Sequence, residues 1–147
     1  MEREFVMIKP NAVKRGLTSE IIKNYEQKGL KIVAMKMIKM KKSQAERLYT
    51  QHKGKDFYEP LLEFILSGPV IVMILEGPRA IETVRNINGE TDPLKASPGS
   101  IRGKYGLSVR KNIVHASDSN KNAEEEWKIF FKEEEIIEYR NGLENEL

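Results

Sequence analysis

The order of hydrophobic patterns along this 147-residue chain constrains its fold more than any single motif. Val70 to Leu75 is its longest aliphatic run. A run that short predicts a buried strand and falls far below the ~20 residues that span a bilayer. Phe5 to Lys9 is a second apolar run, ended by Pro10, and predicts a strand passing into a loop. Residues 30–40 place Leu30, Ile32, Ala34, Ile38 and Met40 on one face of another strand, and Ser108 to Val114 predicts a fourth.

Helical patterns lie between these strands. Thr18 or Ser19 can cap a helix that carries Ile21, Ile22 and Tyr25 and closes at Gly29. Ser43-Gln44-Ala45-Glu46 reads as a capping box, followed by Ala45, Leu48, Tyr49 and His52 on one stripe. A short helix is expected over residues 59–67. Pro78 opens another, with Ile81, Val84 and Ile87 inward and Gly89 just past its end. Residues 90–106 hold two prolines and three glycines without periodicity, which predicts a long loop. Residues 122–131 turn Ala123, Trp127, Phe130 and Phe131 inward, and Glu133 to Tyr139 predicts a last short helix before a polar tail.

This alternation fits an α+β fold, the ferredoxin-like βαββαβ sandwich: a four-stranded antiparallel sheet with helices packed on one face. One domain over residues 1–147 is the simplest organisation at this length. The chain has no cysteine, which excludes disulfides, thiolate catalysis and Cys-ligated metals, and its first residues lack the layout of a secretory signal. A cytoplasmic location is expected. The net charge of +3 and a pI near 9.0 suit a nucleic-acid binder and an enzyme for a small polyanion equally well.

The segment NIVHASDS, Asn112 to Ser119, carries the chemistry. It puts His115 at the end of a strand-like run, beside hydroxyl-rich residues and the start of an acidic helix, where an imidazole can act as nucleophile or acid–base group. The bland alternative is a histidine closing a strand and bonded to a backbone carbonyl. Alternation would put Asn112 and His115 on opposite faces, so the strand must end or bulge between them for both to reach one site. His52 falls on the Leu48/Tyr49 stripe, where packing or a place at the stripe's edge is its expected role.

Lys9 ends an apolar strand where a bare ammonium is costly to bury, Arg85 flanks a helix stripe and Arg102 sits in the Gly/Pro-rich loop. Cations drawn from separate elements suit a polyphosphate. Glu126 or Glu124 could supply a carboxylate that sets the histidine's tautomer; periodicity does not choose between them. No Walker-type phosphate loop, dinucleotide-binding glycine motif or metal-ligand spacing occurs in the sequence.

Over essentially its whole length the chain resembles the nucleoside diphosphate kinase family. The matching blocks are MIKPNAVKRGL (from Met7), IIKNYEQKGLKIVAMK (from Ile21), SGPVIVMILEG (from Ser67), NGETDP (from Asn88), SPGSIRG (from Ser97) and NIVHASDS. The resemblance implies transfer of a γ-phosphoryl group from a nucleoside triphosphate to a nucleoside diphosphate, in ping-pong fashion, through a phosphohistidine on His115. It implies phosphate and ribose contacts from Lys9, Tyr49, Arg85, Thr91, Arg102 and Asn112. It implies a base stacked on Phe57 in a slot completed by Leu61 and Val109, with Glu126 and Ser117 orienting the histidine. Lys9 and Tyr49 then belong to the catalytic set as well. It also implies Mg²⁺ carried by the nucleotide phosphates, with no protein metal cage, and a homo-oligomer, hexamer or tetramer. A base held by stacking predicts little discrimination among bases.

Four positions depart from the family pattern: Asn11-Ala12 for Asp-Gly, Ala116 for Gly after the histidine, and Asp56 for the Pro before Phe57. If the backbone at Ala116 needs φ > 0, alanine costs roughly 1 kcal/mol. The competing reading is a basic, non-catalytic module for single-stranded nucleic acid, suggested by the pI and the expected sheet.

Overall fold

The two most apolar segments of the chain pair with each other at the centre of the molecule. The computed structural model describes residues 1–140 and 142. In chain order these form β1 (Glu2–Ile8), α1 (Pro10–Lys14), α2 (Thr18–Gln27), β2 (Lys31–Ile38), α3 (Lys42–Leu48), a 3₁₀ turn (Thr50–His52), α4 (Tyr58–Ile65), β3 (Val70–Gly77), α5 (Ala80–Asn88), α6 (Ile101–Tyr105), β4 (Val114–Ala116) and α7 (Asn120–Phe130). A 3₁₀ turn, Glu133–Glu135, follows. The sheet order is β2-β3-β1-β4, antiparallel throughout, with Phe5 opposite Ile74 and Met7 opposite both Val72 and His115.

Strands β1 and β3 are apolar at odd and even positions alike, so both faces of the sheet need cover. Phe5, Met7, Val72 and Ile74 pack under α3, α4 and α7, against Leu48, Leu62, Trp127 and Phe130. Val6, Ile8, Met73 and Leu75 pack on the other side against Ile21 and Tyr25 of α2 and Val84 of α5. Helices therefore lie on both faces, not on one. Each of these large side chains contributes about 1.5–3 kcal/mol by leaving water.

Several local expectations are corrected. Pro10 opens α1 instead of a loop: at the first helical position its missing N–H is no loss. The cap of α3 is Lys41, whose N–H donates to Gln44 Oε1 at 2.9 Å, so the box lies two residues earlier than Ser43. Strand β2 bulges between Ile32 and Ala34. The extra residue turns Leu30 and Ile32 to one layer and Ala34, Ile38 and Met40 to the other, splitting the single face expected there. Helix α5 starts at Ala80 after a left-handed Arg79, not at Pro78, while Gly89 closes it at φ 83° as expected.

The loop over 90–106 contains α6, too short to show a period. Ser100 Oγ accepts from Gly103 N at 3.1 Å to start it. A Cβ at residue 103 would lie 2.0 Å from Ser97 O, so that position has room only for glycine. Beyond Glu135 the helix expected to Tyr139 is extended chain, pinned by Ile137 N donating to Val33 O at 2.8 Å. Of the polar tail, residues 141 and 143–147 lie outside the described residues.

The fourth strand is the largest correction. It runs Val114–Ala116, not Ser108–Val114. Ile113 has φ 85°, and Val114 N donates to Asn112 O at 3.0 Å around it, the geometry of a γ-turn. A β-branched residue held there stores on the order of 1–3 kcal/mol. Full burial of Ile113 and a 2.9 Å bond from Lys9 N to its carbonyl hold it in place. Ala116, by contrast, has no positive φ and pairs with Val6, so the feared alanine penalty does not arise.

Candidate active site

The γ-turn at Ile113 explains how Asn112 and His115 reach the same place. It breaks the alternation that would have set them on opposite faces. Both line a cavity of about 660 Å³ between the ends of β1 and β4 and the segments around α3, α4, α5 and α6. Lys9, Tyr49, Phe57, Leu61, Arg85, Thr91, Arg102, Val109 and Glu126 line it too. Ser117, 1% exposed, stands behind the wall.

His115 sits on β4, where Met7 faces it across the ladder. Ser119 caps α7 by accepting from Asn122 N at 3.1 Å, so the helix begins at once after the histidine segment. Two turns on, Glu126 reaches back, and its Oε1 lies 2.6 Å from His115 Nε2. Ser117 Oγ donates to the same oxygen at 2.8 Å. Glu124, the residue periodicity could not separate from it, is instead on the surface, paired with Lys128 at 2.9 Å. The imidazole remains 19% exposed, with the Tyr49 ring edge-on at 5.7 Å and the Phe5 ring at 6.0 Å.

The cations are held to different degrees. Lys9 is 7% exposed, and its Nζ donates to Asn112 Oδ1 at 2.7 Å, while Asn112 Nδ2 donates to Thr91 O at 3.0 Å. Burial draws the Lys9 ammonium down to about 7, with Arg102 adding like-charge repulsion. Arg102 spends Nη1 on Gly89 O (2.7 Å) and Nη2 on Val114 O (2.8 Å), clamping the loop to the active strand. Its buried Nε has no partner among the described residues. Arg85 is exposed on α5. Tyr49 ends α3; burial pushes its phenol up, and its hydroxyl also lacks a partner among the described residues. Buried donors without partners in a cavity wall suit a ligand rich in acceptor oxygens.

At the other end Phe57 and Val109 stand about half exposed, with Leu61 behind them. His52 belongs here and not to a packed stripe. Helix α3 ends at Leu48 and the chain tightens into the 3₁₀ turn, so the 3.6-residue spacing no longer applies. Its ring lies edge-on to Phe57 at 5.1 Å, and burial, then Lys55 and His115, lower its pKa. Gln51, Arg110 and Asp118 also line the cavity and were not singled out from the sequence. Arg110 and Asp118 adjoin motif residues, which was the only signal.

Glu4 was missed altogether. It is 0% exposed on β1; Oε1 accepts from Phe5 N at 2.8 Å, and Oε2 has no partner among the described residues. Burial is the main cause pushing its carboxyl up to about 10; the Phe5 N–H opposes this, Glu126 adds to it, and Arg85 and the Ser117 backbone oppose it again. A buried O–H without an acceptor costs about 1–3 kcal/mol. An uncompensated buried carboxylate costs several. The neutral acid wins.

Comparison with known proteins now bears on this arrangement. The sequence profile described as "Nucleoside diphosphate kinase" matches residues 2–136. The chain is 58% identical over 146 residues to a nucleoside diphosphate kinase of Kosmotoga olearia, covering 99% of each. It is 57% identical over 147 residues to that of Thermosipho melanesiensis, covering 100% of each. Among solved structures, a nucleoside diphosphate kinase family protein from Babesia bovis superimposes with a TM-score of 0.94 at 41% identity, covering 99% of this chain and 98% of that one. The apo enzyme of Encephalitozoon cuniculi gives 0.92 at 40%, with the same coverage. Agreement of sequence, fold and coverage over nearly the full length leaves one assignment: the chain belongs to the nucleoside diphosphate kinase family.

Proposed function

We propose that phosphoryl transfer between nucleotides, the activity of this family, runs here through a phosphohistidine on His115. The observation that carries this is the 2.6 Å contact of Nε2 with Glu126 Oε1. A carboxylate only accepts, so Nε2 carries the proton and the lone pair lies on Nδ1. Nδ1 attacks the γ-phosphorus in line; the N–P bond forms as the bond to the β,γ-bridging oxygen breaks, and the electron pair departs with the diphosphate. The positive charge left on the ring faces Glu126. A second nucleoside diphosphate then attacks along the reverse path.

Little covalent chemistry is left for other groups, and what they supply is position and charge. Lys9, Arg85 and Arg102 meet the spreading phosphate charge, Tyr49 and Thr91 offer hydroxyl donors, and Asn112 couples Lys9 to the ribose end. Phe57, Leu61 and Val109 give the base an apolar stacking slot, which supports low discrimination. Mg²⁺, carried on the nucleotide's own phosphates, would neutralise part of their charge. Among the described residues no group of three His, Asp or Glu side chains forms a cage, and Glu126 Oε1 is engaged by His115 and Ser117.

A homo-oligomer is supported by the outer edge of β2 beyond Val33, which no described strand pairs and where Met35 and Met37 are exposed. No described helix is long and apolar enough to cross a membrane; the nucleotide substrates support a cytoplasmic site of action. Incubation with labelled ATP is expected to leave acid-labile, base-stable phosphate on the protein, lost in His115→Ala along with at least roughly 10⁴-fold of the exchange rate. Unchanged exchange by that variant would overturn the reading.

A further inference from the structure

The closing of the sheet beside the site leaves one buried acid unexplained. Strand β4 pairs with β1 as far as Ala116 opposite Val6, and Ser117 N still donates to Phe5 O at 3.2 Å. The reciprocal bond, from Phe5 N to the departing strand, is replaced by Glu4 Oε1 at 2.8 Å. Glu4 thus occupies the gap where the histidine strand leaves the sheet. Beside it, Ser117 turns its hydroxyl to Glu126, and Glu126 holds His115.

We propose that Glu4 is a positioning residue for nucleotide phosphate: lodged as a neutral acid in this gap, it leaves Arg85 to the substrate and adds no further carboxylate charge behind Glu126 and His115. This rests on the reading of the cavity given above. The groups that face Glu4 are few. Helix α5 packs on β1, with Ile81 N donating to Glu2 Oε1 at 3.1 Å one turn before Arg85. The groups whose charges and dipoles act on Glu4 are Arg85, Glu126 of α7, the Tyr25 phenol of α2, which is bonded to Asn88, and the backbone of Phe5 and Ser117. Arg85 is the single cation in that set, and it also lines the catalytic cavity. An ionised Glu4 would draw the guanidinium into an internal pair and set a second negative charge against Glu126. A proton on Glu4 removes both effects. Glutamine keeps an acceptor for Phe5 N–H and cannot ionise, so Glu4→Gln separates the charge from the backbone cap.

Two measurements test this. Infrared spectra of the wild-type protein at neutral pH should show a protonated-carboxyl carbonyl band that disappears as pH passes about 10 and is missing from Glu4→Gln. Absence of the band in the wild type overturns the proposal, whether or not the variant folds. ADP affinity is then followed from neutral pH to beyond that point in both proteins. The wild type should lose roughly three- to tenfold more affinity than Glu4→Gln, because only it can recapture Arg85. Parallel losses overturn the role given to Glu4 while leaving the cavity's function intact. No ADP binding by the wild type at neutral pH would instead sink the cavity reading, and this role with it.

Discussion

The two ends of the cavity, proposed above to hold the phosphates and the base, are built on different principles. At the phosphate end, side-chain hydrogen bonds of 2.6–2.8 Å lock His115 to Glu126, Glu126 to Ser117, and Lys9 to Asn112, on or within two residues of strands β1 and β4 and helix α7. At the base end, Phe57 and Val109 stand on the surface of connecting segments, with apolar contact as their main resource. In-line transfer fails with small displacements of the nucleophile, so that end has to be over-determined. Stacking tolerates sliding and serves every base. Rigidity is concentrated where the reaction needs it.

That contrast can be broken at either end. The largest effect is expected at Glu126. Glu126→Gln should lower kcat roughly 10²–10³-fold with little change in KM, because an amide neither favours the working tautomer nor stabilises the charged ring. Single-turnover phosphorylation of the enzyme would measure it, and a change confined to KM would contradict the locked geometry. Phe57→Ala should cost about 1–3 kcal/mol of nucleotide binding, read as a raised KM of similar size for ADP, GDP and CDP. A loss specific to one base would show that the slot reads edges.

The smallest effect sharpens the comparison at Lys9. Its folded value of about 7 lies below its ordinary 10.5, so between those values the unfolded chain binds more protons and stability rises with pH. A bound phosphate favours the charged ammonium and raises its pKa. Near pH 8, ADP binding should therefore take up a fraction of a proton, measurable by calorimetry in buffers of different ionisation enthalpy. Proton release would count against a desolvated Lys9 at the phosphate end.

What was legible in the sequence followed from local constraint. His115, Asn112 and Ser117 fall in one short block, and Gly89 marked a helix end because a left-handed terminus favours glycine. The apolar runs showed where β1 and β3 lie. Less was legible wherever a short element or a single dihedral decided the outcome. Helix α6 is five residues, below any period; the β2 bulge shifts a face by one residue; and the left-handed Ile113 belongs to a residue type that does not favour it. His52 was misplaced because a helix that tightens to 3₁₀ abandons the spacing used to read it.

The sequence alone determined the order of elements, the apolar segments that must be buried and the chemical groups available to a phosphate, because hydrophobic periodicity and side-chain type are properties of a local stretch. Only the tertiary structure decided that helices cover both faces, that Ile113 turns the chain so that Asn112 and His115 share a cavity, and that Glu4 lies out of water behind it. Those outcomes depend on which distant segments come together. Burial and electric field are set by that assembly, so no window of neighbouring residues contains them.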